Sequence, residues 1–301
     1  MTPSMDLQDR GAVVTGAGKG LGRAYALHLA ARGARVLVNN RRHAGEGDAQ
    51  TSAAQTVAAI RAAGGTADAN WSDVNDPASG PAMVGAALDR FGTLDIVVAN
   101  AGVDQPMAFQ NQGLAGFRAI FDTSFFGNLH LAHAAWPHLL AQGYGRMVLT
   151  ASSAGLHANH GQAAYSAAKA AVIGLMRALA IEGRHRGVFV NVIAPYGYSQ
   201  MTAPYMRPEM AASFDPALVA PLVGWLCSPQ CDVTGEVLVS GAGLVRRAAT
   251  GESEAMALYD APVGEVVHAL QTKALQPYAS ANVSFASFLQ ELARSSPKTT
   301  P

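Results

Sequence analysis

Short apolar runs alternate with longer amphipathic stretches over most of the chain. Residues 11–16 (GAVVTG), 35–40 (RVLVNN), 94–102 (LDIVVANAG), 145–153 (GRMVLTASS), 188–195 (VFVNVIAP) and 235–243 (GEVLVSGAG) are nearly continuous in small or branched apolar side chains. Runs of that kind mark strands covered on both faces. A more polar stretch, 66–74 (TADANWSDV), holds one more strand. Between them the spacing lengthens and predicts helices at 19–33, 49–65, 77–92, 114–140, 163–184 and 216–228, with Gly33 and Gly64 as stop signals. Strands alternating with such helices predict an α/β fold: a doubly wound parallel sheet of seven strands, the Rossmann arrangement. After about residue 245 the rhythm changes. Residues 246–260, 262–279 and 285–295 read as helical, with no further strand. We therefore divide the chain into a catalytic domain, residues 1–245, and a helical C-terminal extension, residues 246–301, whose last six residues read as a frayed tail.

Composition narrows the classes. Half of the 301 residues are apolar, 14% are charged and the formal net charge is zero. Nothing in that balance favours nucleic acid or an acidic membrane surface. No uncharged apolar run reaches the length of a bilayer span, and the N-terminus lacks the apolar core of a leader, so the expectation is a cytoplasmic protein. Cys227 and Cys231 are too few for a disulfide framework. His130, His133 and His138 lack a matching carboxylate, so no metal site is expected.

Two motifs carry chemistry. TGAGKGLG (15–22) sits between the first strand and the first helix. There Gly16 permits a tight turn, while Gly20 and Gly22 let the backbone approach a pyrophosphate held at the helix N-terminus. Gly16, Gly18, Lys19, Gly20, Leu21 and Gly22 are the candidate cradle. In AAYSAAKAA (163–171), Tyr165 and Lys169 are four apart and share a helix face. A cation about 5 Å from the phenol would lower its pKa by about 2 units at an effective dielectric near 20. Tyr165 would then exchange a proton with a substrate oxygen. Ser152, at the end of the fifth strand, could donate to that oxygen and stabilise developing charge.

The G-x-x-x-G-x-G spacing, ANAG (99–102), Asp73-Val74 and the set Ser152, Tyr165 and Lys169 together resemble the short-chain dehydrogenase/reductase family over roughly residues 10 to 245. The resemblance implies that Asn100, Ala101 and Gly102 border the cofactor, that Asp73 and Val74 contact the adenine, and that Lys169 holds the nicotinamide ribose. Pro195 and Thr202 are candidate cofactor contacts after the sixth strand. The family often carries an asparagine in an N-x-x-G element as part of a proton relay. Here Ser124 of DTSFFG (122–127) stands at that position and is a candidate relay residue.

Where an acidic residue would hold the adenine ribose hydroxyls, the chain has Asn40 followed by Arg41. With Lys19 nearby, this favours NADP(H), with NAD(H) as the alternative. Residues 144–184, 191–202 and 219–247 look like the (3R)-hydroxyacyl-CoA dehydrogenase part of type 2 peroxisomal multifunctional enzymes. That resemblance implies a 3-hydroxyacyl/3-ketoacyl thioester as small-molecule substrate, and a homodimer. His157, His160, Tyr196 and Tyr198 are candidate substrate contacts; residues 195–210 should form a lid. A steroid, cyclic ketone or polyketide-type carbonyl is the alternative substrate. A cofactor-binding sensor or scaffold without turnover is the alternative of another class.

Overall fold

The computed structural model describes residues 6–258 and 261–295. The chain divides into two compact units, one ending at Arg247 and the other beginning at Ala248.

The first unit is built on one sheet. Its strands are β1 (Gly11–Thr15), β2 (Arg35–Asn39), β3 (Thr66–Asn70), β4 (Ile96–Ala99), β5 (Gly145–Thr150), β6 (Val188–Pro195), β7 (Val237–Gly241) and β8 (Leu244–Ala248). They lie in the order β3-β2-β1-β4-β5-β6-β7-β8. Pairing is parallel from β3 through β7. The doubly wound parallel sheet is thus as the hydrophobic pattern predicts.

The count differs by one, because β8 adds an edge strand where no further strand was expected. A turn of Ala242 (φ 52) and Gly243 (φ 73) reverses the chain from β7 into β8. A connection that short admits only an antiparallel return. The sequence LVRRA of β8 is largely solvent-exposed, so it carries none of the continuous apolar signal of the inner strands.

Helices cover both faces. On one side α1 (Gly20–Ala31), α2 (Ser52–Ala62) and α8 (Ala220–Leu226) bury Tyr25, Leu29, Val57, Ile60 and Val223 against strand residues such as Val14, Val38 and Val98. On the other side lie α3 (Ser79–Phe91), α5 (Gly127–Gln142) and α7 (Ala163–Gly183), which bury Met83, Leu131 and Val172. The helix α7 is long and apolar enough by composition to cross a membrane, yet half of its apolar window is buried inside this fold. A core helix passes the same test.

The helix expected over 114–140 is broken. It consists of α4 (Leu114–Phe121), a π-helical turn at Asp122–Phe126, and then α5. The wider turn frees the Ser124 carbonyl, which accepts from Asn128 Nδ2 at 2.9 Å. Between β5 and α7 lies a short helix, α6 (Ser153–His157).

The second unit is partly helical, as expected, with α9 (Val263–Leu270) and α10 (Ala281–Ser295). Residues 249–258, expected to be helical, are irregular, and Glu252 pairs as an isolated antiparallel bridge with Gln276. Gly251 tucks against the Gln276 carbonyl there, and a glycine with a β-bridge suits extended chain better than helix. The expected frayed tail lies outside the described residues.

The strand order reverses between β1 and β4, and the carboxyl ends of the strands open into a crevice at that point. The loop from β1 to α1 fills its floor. Gly16 has φ +62, a left-handed conformation, and a Cβ on Gly22 would lie 2.3 Å from the Gly16 carbonyl oxygen and 2.6 Å from Asn100 Nδ2. The first obstacle is backbone and cannot swing aside. Gly22→Ala is therefore expected to cost about 1–3 kcal/mol through overpacking, read as a fall of several degrees in thermal unfolding. An unchanged melting temperature would contradict this packing.

Candidate active site

Along the crevice, Gly16, Lys19, Gly20, Leu21 and Gly22 face Asn100, Ala101 and Gly102 from β4, with Ser152, Tyr165, Lys169, Pro195 and Thr202 at its far end. Thr15 holds the β4 exit: its Oγ1 accepts from the Asn100 and Ala101 amides at 2.9 and 3.1 Å, and its carbonyl accepts from Asn100 Nδ2 at 3.0 Å. The helix α1 begins after Lys19, its N-cap, which makes no side-chain capping bond, so its first N–H groups are left uncapped where Gly20, Leu21 and Gly22 line the crevice. Gly18 does not line the crevice. It packs the loop onto α2, where a Cβ would sit 2.2 Å from Ser52 Oγ.

At the other end the crevice is bordered by Asn40, Arg41, Asp73 and Val74, together with His43, Ser52, Ser72, Thr123 and Gln200, which the sequence reading did not name. Asn40 Nδ2 donates to Ser52 Oγ at 3.0 Å. Arg42 is engaged elsewhere, paired with Asp48 at 2.5 Å and stacked over Trp71. Arg41 is left as the arginine on the crevice wall.

The chemistry-bearing residues meet where three elements converge. Ser152 caps α6, its Oγ accepting from the Ala154 amide at 3.1 Å. Tyr165 and Lys169 lie on successive turns of α7, both buried. Lys169 Nζ donates to the Thr150 carbonyl at the end of β5 at 2.7 Å, and it lies 5.8 Å from the centre of the Tyr165 ring.

This geometry corrects the electrostatic expectation. Burial dominates both groups, pushing the Tyr165 phenol up to about 12 and the Lys169 ammonium down to about 8. A hydrogen bond from Ser152 pulls the phenol down and the charge of Asp104 pushes it up, both less than burial does. Lys169 spends one of its three donors on a backbone carbonyl, and burial outweighs the other influences on the phenol.

Ser124 is fully buried on the π-turn. Its Oγ donates to the Val103 carbonyl at 2.9 Å and accepts from the Val103 amide at 3.0 Å. A Cβ on Gly102 would come within 3.2 Å of Lys169 Nζ and 3.5 Å of Ser124 Oγ, so the bare glycine leaves room beside both the ammonium and the hydroxyl.

Ser152, Tyr165, Pro195, Met201 and Thr202 also border a second cavity of about 580 Å3. Its far wall is Tyr205, Met206 and Met210, within the stretch expected to form a lid, together with Phe214 just beyond it. Thr202 shapes the near edge by donating to the Gly197 carbonyl at 2.6 Å and accepting from the Ser199 amide at 2.8 Å.

Of the expected substrate contacts, His160 and Tyr196 line this cavity. His157 and Tyr198 do not: His157 ends α6 exposed to solvent, and the Tyr198 amide donates to the Phe214 carbonyl at 2.7 Å. Three polar lining residues were missed. Asp104, Asn159 and Gln162 form a polar chain in which Gln162 Nε2 donates to Asp104 Oδ2, and Asn159 Nδ2 donates to Gln162 Oε1 at 2.8 Å. The position of Asp104 two residues past the ANAG element was the available signal. Among the described residues no group of three or more His, Cys, Asp or Glu gathers in metal-binding geometry, and both cysteines are free and buried.

Comparison with known proteins agrees with this arrangement. A family model described as short chain dehydrogenase matches residues 10–209. A short-chain type dehydrogenase/reductase of Mycobacterium tuberculosis is 40% identical over 245 residues, 81% of this chain and 86% of that protein. Peroxisomal multifunctional enzyme type 2 of Mus musculus is 40% identical over 247 residues; these are 81% of this chain but 33% of the relative. Among solved structures, a short chain dehydrogenase from Mycobacterium avium has a TM-score of 0.80 at 35% identity, covering 90% of this chain and 98% of that one. A glycine loop at the sheet's switch point, a serine, tyrosine and lysine at the crevice end, and these likenesses place the chain in the short-chain dehydrogenase/reductase family of oxidoreductases.

Proposed function

We propose that the chain interconverts a hydroxyl and a ketone on a 3-hydroxyacyl/3-ketoacyl thioester, with Tyr165 as general acid and base. The observation that carries this reading is that Ser152 and Tyr165 border both the glycine-loop crevice and the apolar cavity. A proton-transferring group at that junction meets a carbonyl and a nucleotide at once. The crevice suits a dinucleotide: its glycines leave space that a Cβ would fill, and the uncapped start of α1 offers N–H donors to a pyrophosphate.

In this reading Gly16, Gly20 and Gly22 hold the pyrophosphate, Asp73 and Val74 border the adenine, and Asn100, Ala101, Gly102, Pro195 and Thr202 hold the nicotinamide half. The bound dinucleotide supplies or accepts the hydride. Ser152 donates to the substrate oxygen, and Tyr165 gives or takes the proton. Lys169 orients the ribose, and Ser124, across Gly102 from it, is the candidate relay residue. The apolar far wall suits an acyl chain, and the likeness to peroxisomal multifunctional enzymes supports a thioester. Exposed Phe109 and Leu114, before and at the start of α4, support assembly with a second copy.

The test is reduction of acetoacetyl-CoA, ethyl acetoacetate, a steroid ketone and cyclohexanone, followed at 340 nm. The thioester should give the highest kcat/KM; a steroid leading the panel would shift the substrate to the alternative class. Tyr165→Phe should lower turnover at least about a thousandfold while cofactor affinity stays within a few-fold. Cofactor binding with no turnover on any substrate would return the chain to a scaffold role.

We further propose NADP(H) over NAD(H). Asn40 in place of a carboxylate does not repel a 2′-phosphate, and Arg41 and Lys19 on the crevice wall can pair with it. Arg41→Ala should raise KM for NADPH about tenfold, the usual size of one charge-assisted contact, and leave KM for NADH unchanged. Equal effects on both would refute this role.

The pKa shifts set a pH dependence. A phenol raised to about 12 holds its proton throughout the neutral range, the form that reduction needs. The Lys169 ammonium, lowered to about 8, loses its charge as pH rises through that value. Rates of ketone reduction should be flat below about pH 8 and fall above it. A profile rising through pH 8 would contradict both assignments.

A further inference from the structure

Asp104, Gln162 and Asn159 are not assigned to carry the proton or the hydride, yet they line the cavity beside Tyr165. Gln162 is the residue from which α7 starts, one turn before Tyr165. The loop carrying Asp104 is stitched to the loop carrying Gln162 by the Met107 amide, which donates to the Gly161 carbonyl at 2.8 Å. An ionised carboxylate only accepts hydrogen bonds. It therefore admits the Gln162 side chain in one orientation, nitrogen towards Asp104 and oxygen towards the Asn159 amide. One N–H of Gln162 then remains for a ligand. Across from it the wall offers methionine and aromatic side chains, so the polar contacts are confined to one side of the cavity.

We propose that Asp104 is a positioning residue that locks the Gln162 amide with its spare N–H towards a second carbonyl oxygen of the substrate, selecting 3-ketoacyl compounds over ketones with a single oxygen. The proposal rests on the carbonyl-reducing reading above and narrows it to the β-dicarbonyl class. A substrate without the second oxygen leaves a desolvated N–H unpaired, and sites built to hydrogen-bond a substrate discriminate strongly on that ground. Burial raises the Asp104 carboxyl pKa against the pull of the Gln162 hydrogen bond. Tyr165, His160, Tyr196 and Tyr205 are the other titratable groups on the same cavity.

The experiment compares acetoacetyl-CoA, ethyl acetoacetate and cyclohexanone in the wild type, Asp104→Leu, Asp104→Asn, Gln162→Leu and the Asp104→Leu/Gln162→Leu double variant. Asp104→Leu should raise KM for both β-dicarbonyls about tenfold, with kcat within about twofold and cyclohexanone unaffected. Asp104→Asn, which keeps the shape but admits either amide orientation, should raise the same KM at least threefold. Gln162→Leu should match Asp104→Leu, and the double variant should be no worse than either. In the wild type, KM for ethyl acetoacetate should rise as pH falls through the Asp104 ionisation, and this dependence should vanish in Asp104→Leu. Equal losses on all three substrates, or additive effects in the double variant, would overturn the proposal. If ethyl acetoacetate is reduced and acetoacetyl-CoA is not, the thioester reading fails while the ester-to-ketone ratio still decides this one. Independently of turnover, the Gln162 side-chain amide resonances of the wild type should move with the Asp104 ionisation; a static pair overturns the lock.

Discussion

A lysine ammonium taken out of water organises the catalytic end of the molecule. Lys169 is 2% exposed, and among the described residues no carboxylate pairs with it. Removing such a charge from solvent costs several kcal/mol even after relaxation. The Thr150 carbonyl offsets part of that cost and lowered basicity reflects the remainder. That one bond ties α7 to the end of β5 and so fixes the distance between Tyr165 and Ser152. The alanines around the pair serve packing. Ala164 and Ala168 are buried with Ile120 and Ala154, and Phe117, Phe121 and Phe125 press on that cluster from the side of α4 and the π-turn. Larger side chains on that stretch of α7 would hold α4 away and open the buried face to water.

Legibility of the sequence follows from the range over which each feature is encoded. The inner strands are readable because burial on both faces demands an uninterrupted apolar run, a purely local property. Strand β8 is not, because LVRRA at an exposed edge resembles any polar loop; its partner and a two-residue turn define it. The break at Asp122–Phe126 is hidden for another reason. A π-turn keeps the apolar spacing of a helix over so short a span, and the carbonyl it frees is satisfied by Asn128, an ordinary helical residue.

The same distinction runs through the site. Spacing put Tyr165 and Lys169 on one face of a helix, which the fold bears out, but it could not say where the ammonium points. That depended on the Thr150 carbonyl, 19 residues away, and the sign of the shift on the phenol was set by its burial, which spacing does not encode. The glycine loop was readable residue by residue except at Gly18, whose neighbour Ser52 comes from the next helix. Asp104 and Gln162, 58 residues apart, leave no trace of their pairing in either local stretch.

The far wall of the apolar cavity has its own consequence. Met206 and Met210 stand there with Tyr205 and Phe214, and Met201 lies nearer the catalytic end. Thioethers are unbranched and polarizable, and they re-pack around guests of different outline at little cost. In the proposed reaction, the residues that would handle the proton sit against the sheet, whereas the surface that would measure an acyl tail is compliant. On that proposal, tolerance towards tail length and strictness towards the reacting carbon reside in separate parts of the molecule, and exchanging single methionines would widen or narrow the range of tails without retuning the proposed acid–base pair.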